Sequence, residues 1–331
     1  MDVSIYATFS KLQHRNSVSE YLCVASLPFS KNHKIGISSD KYPMFFIECE
    51  PTGFTIDTKL EFISVLFNRQ CQLLEDNENT PRKVENTYTI IELKSGNDDL
   101  QQYFIEVVSL VIETLPKNPT HLALKTEIQK LITLFSCFNK PPRKQIQGLW
   151  AELFVIEQAK YPEYLIQSWH SSPDDKFDFN DGQDKIEVKS TAQSRRAHEF
   201  SIGQLNPNKN ANLLIASVFV VNTGSGTNIF DLVKSICSKV SNPTLKFKLN
   251  DIIGQTVGQD FEKISSLYFD YQQALDTLAF YDFRDIPTVN VSNVPDGVSN
   301  VRFISDLSTI TSIKHPLFDV SKSPLFKSIQ I

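Results

Sequence analysis

Two Glu-x-Lys triplets occur in this chain, in IELKS at Ile91–Ser95 and in IEVKS at Ile186–Ser190, and the sequence holds no others. Side chains alternate along a strand, so each triplet sets a carboxylate and an ammonium on one face. A carboxylate beside a lysine suits phosphate chemistry when further acids join it. Converging carboxylates repel each other, and a divalent cation is the usual remedy. Such an ion polarises a phosphate and lowers the pKa of an attacking water. The company each triplet keeps therefore distinguishes the two.

The second triplet reads as one arm of a hairpin. FDF (Phe177–Phe179) and KIEVK (Lys185–Lys189) flank NDGQD, a polar turn with Asp-Gly near its centre. Glu187 and Lys189 fall on one face, Ile186 and Val188 on the other. With Phe177 and Phe179 turned to the core, Asp178 joins the face of Glu187 and Lys189. Two carboxylates then converge with one ammonium nearby. Oxygen ligands, with no Cys or His among them, suit Mg²⁺ or Mn²⁺ rather than zinc. Lys189 is placed to orient the water and to stabilise charge developing on the phosphorane.

Glu152 is the third acid. It sits in GLWAELFVIE (Gly148–Glu157), a helix apolar on most sides. A carboxylate there is costly unless it meets a cation or a donor. Gly148, four residues earlier, leaves room for a water or a phosphate. The alternative is that Glu152 pairs with a core Arg or Lys.

The first triplet lacks such neighbours. Its nearest upstream acids, Glu75, Asp76, Glu78 and Glu85, lie in EDNENTPRKVE, which reads as a solvated loop. Glu92 and Lys94 are expected on the exposed face of an ordinary strand. A literal Pro-Asp occurs at Pro173–Asp174, but SSPDDK reads as a loop, and Asp178 has the strand placement.

These residues need elements to hold them. Consecutive prolines in NKPP (Asn139–Pro142) disfavour helix and mark the best breakpoint. The expected division is 1–139, an N-terminal α+β domain with a helical linker region, and 140–331, the domain carrying the acids. In the first, Tyr21–Leu27, Tyr42–Glu48 and Tyr88–Lys94 read as strands, and Leu60–Leu74 has a helical spread of apolar positions. Helices are expected near Leu100–Leu115 and His121–Phe138. In the second come a helix over Arg143–Lys160, the hairpin, the strands HEFSIG and LLIASVFVV, and a helix near Phe230–Val240. The fold class is α/β or α+β, a mixed central sheet flanked by helices.

Composition narrows the function. The chain has 331 residues, 41% of them hydrophobic and 21% charged, as in a folded globular protein. Its longest apolar runs are too short to cross a bilayer, and its N-terminal stretch lacks the order of a secretory signal; no membrane partner and a cytoplasmic location are expected. Five scattered cysteines without a CxxC exclude a zinc ribbon and argue against a disulfide framework. No GxxxxGK[ST] loop occurs, so any ATP dependence must come from a partner. A net charge of −5 means that nucleic-acid contact must be local and salt-sensitive. Arg195 and Arg196 are placed to grip phosphates or to form a solvated turn. Lys140, Arg143 and Lys144 precede the Glu152 helix, where phosphate contact or a plain charged linker are the choices. His170 and His198 lie near the acids and read as hydrogen-bonded bystanders.

With Asp178, Glu187-x-Lys189 and Glu152 in this order, the chain resembles the PD-(D/E)XK nuclease superfamily. GLWAEL, FDF, IEVKS, IGQL, FYDFRDIPTV and VPDGVSNVRFISDL look like a prokaryotic family of PD-(D/E)XK motif proteins. The resemblance implies a restriction-endonuclease-like core and Mg²⁺-dependent cleavage of double-stranded DNA, with Mn²⁺ able to substitute. By position, Asp178, Glu187, Glu152 and the Val188 carbonyl would hold the metal, and Lys189 would position the nucleophile. Gln204, after HEFSI, would touch DNA or the attacking water; a surface or helix-capping amide is the alternative. The displaced proline leaves the first acidic position less well matched. Such proteins tend to be encoded beside DNA methyltransferases and ATPases in restriction-modification-like, antiviral defence loci. A homodimer, or a helicase-type ATPase or methyltransferase partner, is the expectation. The competing readings are a catalytically silent or partner-activated DNA-binding scaffold that keeps the fold, and a nuclease for RNA or for damaged DNA.

Overall fold

The computed structural model describes residues 4–14, 21–49, 56–76, 81–117, 119–142, 145–170, 175–207, 211–313 and 323–329. The chain divides into two compact units, Met1–Pro141 and Pro142–Ile331.

The first unit begins with α1 (Ile5–Gln13), followed by β1 (Leu22–Leu27), β2 (Ser30–Ile37), β3 (Pro43–Glu48), β4 (Thr58–Lys59), β5 (Ile63–Glu75) and β6 (Arg82–Leu93). The strands order as β1-β2-β3-β6-β5-β4, and β1 also pairs parallel with the far end of β5, closing a ring. Strand β5 carries a bulge. Between Leu66 and Arg69 the β5–β6 register shifts, with Asn68 at φ 51. One extra residue bends a strand and reverses which parity faces inward. Leu66 therefore packs against the same cluster as Cys71 and Leu73, beside Val24, Phe46 and Tyr88.

That switch corrects one expectation. Leu60–Leu74 is not a helix but mostly the long strand β5; the parity change spread its apolar positions in a way that mimics helical periodicity. The neighbouring stretch is likewise no simple loop. Glu75 ends β5 and Glu85 lies on β6, where it accepts from Gln70 and Gln72. Buried Glu75 takes a 2.7 Å ion pair from buried Lys34. Burial works against its charged form, but the hydrogen bonds from Lys34 and Ser26 outweigh that and hold its carboxyl below the ordinary range. Helices α2 (Asp98–Glu113) and α3 (His121–Phe135) complete the unit, with the Phe104 ring tilted against Phe45 and edge-on to Phe135.

The second unit holds α4 (Ile146–Gln158), α5 (Pro162–Ser168), β7 (Phe179–Asn180), β8 (Asp184–Thr191), β9 (Ala197–Ser201), β10 (Asn212–Phe219) and α6 (Ile229–Lys239). Further along come β13 (Ala279–Asp282) and β14 (Arg302–Asp306), numbered after the short strands β11 (Asn222–Thr223) and β12 (Tyr268–Phe269). Its central sheet runs β13-β10-β8-β7 and is mixed: β8 and β10 are parallel, the other pairs antiparallel. Helix α4 packs against β8 and α6. From Leu149 to Glu157 every residue of α4 is buried, which explains why its sequence is apolar all round. A second antiparallel pair joins β9 to β14, and β9 lies in contact with β8. Among the described residues, no helix is long and apolar enough to cross a membrane.

Candidate metal and phosphodiester site

The β7–β8 hairpin is set by its turn. Asp181 Oδ1 accepts from the backbone N–H groups of Gln183 and Asp184 at 3.1 and 2.8 Å. Gly182 adopts φ 95, which a side chain would resist. Phe179 then pairs with Ile186 and Asn180 with Lys185. Continuing that register puts Asp178 opposite Glu187.

Asp178 lies just before β7, and its carboxylate bends to the strand edge. Oδ2 accepts from the backbone N–H of Val188 at 2.8 Å. In a strand, one residue's N–H and C=O point to the same side, so the Val188 carbonyl faces this edge too. The Asp178 carbonyl accepts from the His170 N–H at 2.8 Å. The chain leaving α5 is thereby tied to the hairpin, with Trp169 bridged to Phe179.

This tie delivers His170 to Glu152. Glu152 Oε2 accepts from the Trp169 indole at 2.8 Å and lies 3.2 Å from His170 Nε2. One donor atom from each of Glu152, His170 and Asp178 falls within 4.8 Å of the other two. Ligands on opposite sides of an ion bound at about 2.2 Å would be roughly 4.4 Å apart, so this spacing admits one cation with modest closure. The donor types fit a divalent ion: two carboxylates and an imidazole. The oxygen-only reading from sequence thus gains a nitrogen. A Cβ built on Gly148 would meet nothing within 4 Å, so there is open space one turn from Glu152.

Glu157, on the same helix, shows the bland fate of a buried acid. It is paired with Lys239 at 2.5 Å and bonded by Ser235 and Tyr271. Glu152 meets an imidazole and an indole instead.

Glu187 and Lys189 form a second, adjoining group. Lys189 Nζ lies 2.8 Å from Glu187 Oε1, which also accepts from the Gln204 amide at 2.6 Å. Gln204 Oε1 accepts from Lys189 at 3.4 Å and from the Ser201 N–H at 3.0 Å. Gln204 is therefore neither a surface amide nor a helix cap; it spans the acid and the lysine. Glu187 is not in the three-residue group above. Asp178, opposite it in register, is the residue common to both neighbourhoods.

Other candidates separate clearly. Glu92 is half-buried, accepts from Ser64 at 3.2 Å and has Met44 and Ser64 as cross-strand neighbours, with no acid among them; Lys94 is exposed. Arg196 turns inward rather than outward, donating to Ser217 O and Oγ at 2.8 Å and to Thr277 O, with its guanidinium over Phe219. Arg195 is exposed, as is Lys140. Pro173, Asp174, Arg143 and Lys144 lie outside the described residues. His198 is buried against Ser217 Oγ at 2.8 Å. Burial, then the nearby Lys189 and Arg196, lowers its pKa to about 4.

A helix acid beside an acid–x–lysine strand, on a mixed sheet flanked by helices, defines a nuclease-like α/β fold of the restriction-endonuclease type. The chain belongs to the family described as "Putative PD-(D/E)XK family member, (DUF4420)", which matches residues 9–308. No curated protein and no solved structure shows a significant match to it.

Proposed function

We propose that this protein is a divalent-metal-dependent endonuclease that hydrolyses phosphodiester bonds of double-stranded DNA. The observation that carries the reading is the position of Asp178. It stands within 4.8 Å of Glu152 and His170 and opposite Glu187 on the strand that bears Lys189. Glu152, His170 and Asp178 would hold the ion, and the Val188 carbonyl and the Glu187 carboxylate, opposite Asp178 in register, would complete its shell. Bound Mg²⁺ or Mn²⁺ would supply charge stabilisation and a more acidic water. Lys189 orients the nucleophile, and Gln204 keeps Lys189 and Glu187 in register. The imidazole donor favours Mn²⁺ over Mg²⁺ in affinity. Cutting both strands takes two such sites, and a homodimer or a partner ATPase would provide them. A role in restriction or phage defence, in the cytoplasm, fits this activity.

The test is cleavage of supercoiled plasmid with Mn²⁺ or Mg²⁺, comparing wild type, Lys189→Ala and Lys94→Ala. Loss of cutting in Lys189→Ala and with EDTA, and its retention in Lys94→Ala, is expected. Binding of DNA without cleavage under every metal would instead favour the scaffold reading.

A further inference from the structure

Lys176 stands out among the cations near the acids. No carboxylate pairs with it among the described residues, and its ammonium rests 5.3 Å from the Phe177 ring centroid. A second ammonium, from Lys185, lies 6.0 Å from the same ring. Lys185 shares the strand face of Glu187 and Lys189, and its ammonium is bonded only to the Gln183 carbonyl among its described partners, at 3.2 Å. Lys185 is buried while Lys176 is exposed, so a buried ammonium and a solvent-facing one flank the same ring, an arrangement that an anion would stabilise.

Acids close to these two lysines in the sequence have other partners. Glu187 is engaged by Lys189 and Gln204, Asp184 by Asn212, and Asp175 is coupled to Lys248. A glycine makes room for the uncompensated charge. A Cβ on Gly203 would lie 2.8 Å from Lys176 Cε and 3.0 Å from its Nζ. The Lys176 ammonium therefore occupies the place a side chain would take, one residue from the Gln204 that spans Glu187 and Lys189.

We infer that Lys176 and Lys185 form a second phosphate subsite, which takes a backbone phosphate of the nucleic acid beside the one presented to the acids. The inference rests on the nuclease reading above. A compact ammonium pair against an aromatic ring holds a phosphate without reading sequence. The subsite serves to fix the register of the backbone over Asp178 and Lys189.

Anisotropy titration of the full chain with a labelled 20-base-pair duplex, in EDTA and across a salt series, tests this. Lys176→Gln is expected to weaken binding roughly tenfold and to lower the slope of log K against log salt by about 1. Lys176→Arg should restore the slope. Gly203→Ala, which displaces the ammonium without removing charge, should weaken binding as well. Lys94→Gln should bind as wild type. Unchanged affinity and slope in Lys176→Gln, with wild-type binding intact, overturns the subsite and leaves the nuclease reading standing. No DNA binding by wild type overturns both.

Discussion

Asp178 reaches the strand that carries Glu187 by a hydrogen bond, its Oδ2 accepting from the Val188 N–H at 2.8 Å. The carboxylate thus has a structural bond and a ligand role at once, and the two are separable. Asp178→Asn retains an oxygen for the Val188 amide, so stability should stay within about 1 kcal/mol of wild type. Mn²⁺ affinity by calorimetry should fall at least tenfold or so. Asp178→Ala should lose both, costing about 1–3 kcal/mol for the buried amide left unpaired. Equal stability losses in the two variants would remove the distinction.

His170 connects that strand edge to the helix acid. Replacing it by Ala removes the only nitrogen donor of the three-residue group. Mn²⁺ binding is expected to weaken about 10–100-fold, and Mg²⁺ binding to weaken less, because Mg²⁺ prefers oxygen. A calorimetric ratio of the two affinities that stays the same would place His170 outside the metal shell.

Gln204 acts through its neighbours. It bridges Glu187 and Lys189 at 2.6 and 3.4 Å. Gln204→Ala frees both side chains to reorient, and kcat should drop about 10–100-fold with little change in DNA affinity. Gln204→Glu places a third negative charge by Glu187 and should raise the pH needed for half-maximal activity. A loss confined to KM would mean that Gln204 contacts DNA instead.

Stability should depend on pH through buried histidines in both units. Burial, with Lys34 nearby, lowers the His33 pKa to about 4, and His198 is lowered to a similar value. Above about pH 6.5 these groups are neutral in both folded and unfolded chains. Between roughly pH 6.5 and 4 the unfolded chain binds protons that the folded one refuses, so stability falls as pH falls. Each histidine should contribute a loss of roughly 3 kcal/mol across that window. Urea denaturation at pH 7 and pH 5 measures it, and His198→Asn should flatten the slope for the second unit. A slope that His198→Asn leaves unaltered would show that other groups carry the acid sensitivity.

Much was legible in the residues themselves. The Asp-Gly turn and strand alternation are local, so the hairpin and the shared face of Glu187 and Lys189 follow from backbone stereochemistry alone. The same holds for the apolar α4 and for IELKS, whose triplet lacks acidic strand neighbours. What failed was local patterning broken by a bulge, at β5, where one extra residue switched parity. Tertiary contacts decided the rest. His170 joins Glu152 because the segment after α5 is tied by its backbone to Asp178, a closure that no spacing encodes. Gln204 meets Glu187 because β9 and the following turn fold over the site face of β8. Arg196, next to an exposed arginine of the same type, turned inward because Ser217, Thr277 and an aromatic ring surround it. Sequence determined which groups the chain could bring to phosphate chemistry; only the packing of α4 and β9 against β8, with the segment after α5 tied to Asp178, decided which of them meet.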